Sequence, residues 1–141
     1  MKHFLSMLSS RDGKVRELAI ELCLELVDQP SEDFITDLSG FTNSHIPELR
    51  ESILNLMARY EEFLDTNYGA SILDFVHDSN DAVRLAAYRF IQASNAWPPV
   101  LTLLDASQDV NEEIRLIACE GLQRTILCEN SSFRVAEYLN H

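Results

Sequence analysis

The stretch DGKVRELAIELCLEL, residues 12–26, holds a Val-Arg pair, Val15 and Arg16, with an alanine, Ala19, three residues after the arginine. DAVRLAAYRFI, residues 81–91, writes the pattern again with Val83, Arg84 and Ala87. Ile114, Arg115 and Ala118 make a third copy, and Leu49, Arg50 and Ile53 a looser fourth. The arginines lie 34, 34 and 31 residues apart, a period that suits one helical hairpin per unit. Four units are expected, at about 1–29, 30–66, 67–95 and 96–128.

Within each unit the apolar residues recur with the period of a helix. Val15, Leu18, Ala19, Leu22, Cys23, Leu26 and Val27 fall on one face, which predicts a core-facing stripe. Val83, Ala86, Ala87, Phe90 and Ile91 repeat it, as do Ile114, Ile117, Ala118, Gly121 and Leu122, then Thr125 and Ile126. In the second unit Leu49, Ile53, Leu56, Met57, Tyr60 and Leu64 predict one long helix. A shorter apolar segment precedes each of these second helices, at 4–8, 34–38, 72–76 and 100–104. Turns rich in Ser, Asn, Asp and Gly separate the two. Pro30, Gly69 and the pair Pro98 and Pro99 mark the unit boundaries. Ser131 or Ser132 followed by Phe133, Ala136 and Leu139 predicts a last capping helix over 130–141. No useful run alternates with the period of a strand, so the expected class is all-α.

Composition narrows the partners. With 46% hydrophobic and 24% charged residues, the 141-residue chain matches ordinary globular domains, and the absence of a long apolar run or a secretory signal predicts a cytoplasmic protein. Asp and Glu number 23 against 11 Lys and Arg, a net charge of −12, and both halves are acidic. A phosphate backbone is held by Lys and Arg that displace its counterions, so nucleic acid is not expected as a partner.

The residues that carry chemistry are scattered. His3, His45, His77 and His141 form no metal-ligating pair, and Cys23, Cys119 and Cys128 match neither a disulfide framework nor a zinc knuckle. Gly13, Gly40, Gly69 and Gly121 make no phosphate-cradling loop. Acidic pairs such as Asp78 with Asp81 or Glu112 with Glu113 fall at helix starts, where carboxylates complement the helix dipole. No catalysis, cofactor or metal is expected.

DGKVRELA, with the variants DAVRLAA and NEEIRLIA, resembles the HEAT repeat, particularly the short bacterial type found in phycobilin lyase subunits. The resemblance spans essentially the whole chain. It implies an α-solenoid of about four HEAT-like hairpins with a C-terminal capping helix. It also implies a ladder of charged hydrogen bonds between units, made by Arg16, Arg50, Arg84 and Arg115 with Asp12, Asp81 and Asp109. The second unit departs from the pattern, with no Asp ahead of Arg50, Pro47 at its helix start and Ile53 in place of alanine.

What remains is surface. One and five residues after the arginine come Glu17, Glu51, Leu85 and Leu116, then Glu21, Asn55, Arg89 and Glu120; nine after come Glu25, Arg59, Ala93 and Arg124. Stacked units would set these in rows on a broad binding surface, with Leu85, Leu116 and Tyr88 as candidate solvent-facing apolar groups. The expected function is a protein-interaction scaffold or adaptor that binds a basic polypeptide through Glu17, Glu21, Glu25, Glu51, Leu85, Arg89, Leu116, Glu120 and Arg124. Two alternatives stay open: an acidic inhibitor or immunity-type protein, or nucleic-acid mimic, that neutralises a basic toxin or nuclease; and an accessory subunit of a lyase-type enzyme.

Overall fold

Four of the described helices begin where a short polar side chain takes up a first free N–H group. The computed structural model describes residues 2–64 and 72–128. Helix α1 (Lys2–Leu8) leads through a turn to α2 (Gly13–Leu26), where Asp12 caps the N-terminus by accepting from Lys14 N at 2.9 Å. Ser31 caps α3 (Glu32–Phe41) through Phe34 N. Helix α4 (Pro47–Met57) has no side-chain cap and begins instead on Pro47, whose missing N–H leaves one fewer donor to satisfy. The short α5 (Glu61–Leu64) follows. Then come a 3-10 helix, η1 (Leu73–His77), and α6 (Asp81–Ser94), capped by Asn80 and ended by Asn95 in the left-handed region at φ 57°. Helices α7 (Val100–Ala106) and α8 (Glu112–Cys128) complete the described chain, with Asn111 accepting from Ile114 N at the start of α8.

All regular structure among the described residues is helical. Each short helix packs on the long one after it: α1 on α2, α3 on α4, η1 on α6, and α7 on α8. The long helices also pack in sequence, α2 on α4, α4 on α6 and α6 on α8, with α4 against α6 the most extensive of these contacts. No helix of the described residues is long and apolar enough to cross a membrane.

The core lies between these layers. Ala19, Ala87 and Ala118 are each 0% exposed, and Ile53, at the equivalent place in α4, is also fully buried. A larger side chain at the alanines has no room to enter. Ala87→Leu is expected to overpack the layer and cost about 1–3 kcal/mol. A urea denaturation midpoint equal to that of the wild type would refute this close packing.

Three expectations need correction. The single long helix of the second unit is broken: α4 stops at Met57, the Ala58 N–H caps back onto Leu54 and Leu56, and Leu64 belongs to α5. The first helix of the third unit is a 3-10 turn over Leu73–His77. Leu18, Leu22 and Leu26, expected in the core-facing stripe, are exposed, because no described helix lies on that side of α2. The expected capping helix over 130–141 and the boundary at Gly69 lie outside the described residues.

Candidate functional site

The repeated arginine ties each turn to its long helix. In all four units its Nη1 donates to the backbone carbonyl six residues earlier: Arg16 to Ser10 at 2.6 Å, Arg50 to Ser44 at 2.9 Å, Arg84 to Asp78 at 2.9 Å and Arg115 to Asp109 at 2.7 Å. The residue that offers this carbonyl also decides the link to the unit before. Arg50 grips the Asp78 carboxylate with Nε and Nη2, both at 3.1 Å, and Arg84 grips Asp109 at 3.0 and 3.1 Å. A guanidinium meets a carboxylate best in this two-point geometry.

The first step of the ladder is different, because Ser44 stands where the later units have Asp78 and Asp109. Arg16 therefore turns to Glu51, at 3.5 Å. Asp12 caps its own helix, and Asp81 accepts from Asn111 Nδ2 at 3.3 Å, so neither takes the rung assigned to it. Asp78 takes one instead. Its offset of six residues before the arginine, shared with Asp109, was the signal that could have found it.

The loose first step lies beside a cleft of about 460 Å³ between α2 and α4, which brings Asp12, Glu17, Glu51, Asn55 and Arg89 to one lining. Around it the rows of the long helices are cross-linked. Arg59 meets Glu21 at 3.4 Å, Arg89 meets Glu113 at 2.6 Å and Gln92 donates to Glu120, while within α8 Arg124 meets Glu120 at 3.3 Å. Glu17 and Glu25 are exposed and carry no ion pair among the described residues. Leu116 is exposed, as one expectation had it, and Leu85 is half-buried against the core. Tyr88 is not a surface group: it is buried in the core, and burial pushes its phenol up to about 12. Arg59 and Glu113 were not among the expected site residues.

The buried groups are chemically quiet. Tyr60 donates to Val27 O at 2.8 Å, pinning the end of α2 to the second unit, and Cys23 lies 4.0 Å from its hydroxyl. Burial pushes the Cys23 thiol up, away from the reactive thiolate. Among the described residues no buried side-chain nitrogen or oxygen lacks a partner, and no three His, Cys, Asp or Glu side chains gather as metal ligands would. His45 and His77 are exposed.

No family model, curated protein or solved structure matches the chain. The arrangement of charge and apolar surface on the long helices is therefore what a functional reading has to work from.

Proposed function

We propose that this chain is a non-catalytic protein-binding module, a right-handed stack of four HEAT-like hairpins that takes a basic polypeptide on the face of its long helices. The charge left over on that face carries the reading. Arg16, Arg50, Arg59, Arg84, Arg89, Arg115 and Arg124 are all engaged by a carboxylate or a backbone carbonyl. Glu17 and Glu25 are not, and Glu17 lines the cleft with Asp12, Glu51, Lys14, Arg16 and Arg89, of which Glu51 is paired with Arg16 and Arg89 with Glu113. Such a face has few free cations to offer a phosphate backbone, whereas the unpaired Glu17 and Glu25 draw a Lys- or Arg-rich chain and speed its encounter. The exposed Leu116 supplies apolar contact near the other end of the same face.

The test is association kinetics with a labelled Lys-rich peptide. Reversing Glu17, Glu21 and Glu25 to lysine should slow association about tenfold at low salt and flatten its salt dependence, since steering is screened over roughly 8–10 Å. Leu116→Ala should act on dissociation instead. Rates that ignore the charge reversal, in a variant whose circular dichroism matches the wild type, would overturn the reading.

A further inference from the structure

The side of α2 that no described helix covers has a composition its place in the repeat does not predict. Two and six residues after the arginine stand Ser52 and Leu56 in α4, Ala86 and Phe90 in α6, and Ile117 and Gly121 in α8, and all six are buried. Where these positions reach back, they reach the unit before: Ser52 Oγ donates to Leu8 O at 2.7 Å, and Tyr60, ten after its arginine, to Val27 O. At Gly121 an added Cβ would come within 2.5 Å of the Trp97 ring. These are positions built to receive packing.

The same places in α2 are Leu18, Leu22 and Leu26, exposed by 61%, 42% and 70%. A terminal unit whose end faces only water is expected to be polar there. Leucines on three consecutive turns instead form an i, i+4 ridge, the element that packs into the groove of another helix. Glu17, Glu21 and Glu25 each precede one of these leucines, so an acidic row runs along one edge of the ridge. Only Glu21 has an ion pair there, and with both partners more than half exposed it neutralises little.

We infer that this ridge seats an amphipathic helix of another protein, whose apolar face covers Leu18, Leu22 and Leu26 and whose Lys or Arg edge lies along Glu17, Glu21 and Glu25. The inference rests on the basic-polypeptide reading above and adds where the partner docks and in what conformation. A second copy of this chain fits poorly. It carries the same −12 charge, and the arginines of its long helices are already engaged, so it brings few bases to the glutamate row, Arg11 and Lys14 being the exposed ones without an ion pair among the described residues.

The probe is a synthetic peptide with leucine at i, i+4 and i+8 and lysine along one flank, compared with an isomer in which the same residues lose that period. Fluorescence anisotropy should show saturable one-to-one binding, and circular dichroism a gain of helix on mixing. The isomer, and the variant carrying Leu18→Gln, Leu22→Gln and Leu26→Gln, should each bind about tenfold more weakly, the variant through faster dissociation. The three leucines lie outside the core, so the variant's thermal midpoint should stay near that of the wild type. If the glutamate reversal slows association while the glutamine variant binds as the wild type does, the ridge is not the seat and the basic-partner reading stands. If neither matters, both fall. Sedimentation of the chain alone as a dimer that the glutamine variant makes monomeric would overturn the inference in favour of a second copy.

Discussion

Phe90→Ala is expected to lower the free energy of unfolding by about 3–5 kcal/mol, while Leu22→Ala lowers it by less than about 1 kcal/mol. Both residues stand six after their arginine, and both replacements remove a large apolar side chain from the middle of a long helix. What packs against each helix makes the difference. Phe90 is fully buried in α6, which is packed by α4, α5, η1 and α8. Removing its ring forfeits the transfer energy and leaves a cavity that the surrounding layers can only partly close. Leu22 has no helix against its outer side, so its loss opens no cavity there. Urea denaturation of the two variants measures the contrast directly. Equal losses would mean that α2 is packed on both sides, contrary to the structure and to the docking ridge drawn from it.

That contrast marks what the sequence could reveal. Periodicity shows that one face of a helix is apolar but not whether anything lies against it, so Leu18, Leu22 and Leu26 read like the core positions of the other units. The four arginines were legible because they recur at near-constant intervals of 34, 34 and 31 residues, and the structure gives the recurrence a reason in the Nη1 bond to the carbonyl six residues earlier. The ladder acid was harder to place. Two of the four units have serine at that offset, Ser10 and Ser44, and nearer aspartates that cap or begin helices, Asp12 and Asp81, compete for the role. Tyr88 was misplaced for a related reason. Four residues after the arginine, Ile20, Leu54 and Tyr88 are buried in their units, but a phenol reads as a surface group until its surroundings are known. The pairs Arg59 with Glu21 and Arg89 with Glu113 join residues 38 and 24 apart, which no local pattern announces.

Arg84→Ala is expected to cost about 2–4 kcal/mol at neutral pH, and Arg16→Ala about 1–2 kcal/mol. Arg84 makes two bonds to Asp109, at 3.0 and 3.1 Å, and donates to the Asp78 and Ser79 carbonyls, with both charged side chains mostly buried. Its removal strands the Asp109 carboxylate where water reaches it poorly. Arg16 gives up one carbonyl bond and a single 3.5 Å contact to Glu51, whose carboxylate stays partly hydrated. The charge component can be separated by pH. Burial pushes the Asp109 carboxyl up, but the Arg84 hydrogen bond, the Asn111 N–H and the nearby arginine charges outweigh it and hold the carboxyl below its ordinary 3.8. The unfolded chain then takes up that proton at a higher pH than the folded one. The pair's contribution is therefore complete above the ordinary value and is lost as pH falls below about 4 and through the folded value. Without Arg84, burial is opposed only by the Asn111 N–H and the Arg115 charge, and the carboxyl protonates more readily in the folded state. The stability gap between wild type and variant should thus be widest near neutrality and narrow in acid. Urea midpoints measured at about pH 7 and about pH 3 test this. A gap of constant width would mean that Arg84 holds its neighbours by packing and the Asp78 and Ser79 carbonyls alone, and that the rung to Asp109 contributes no net charge interaction.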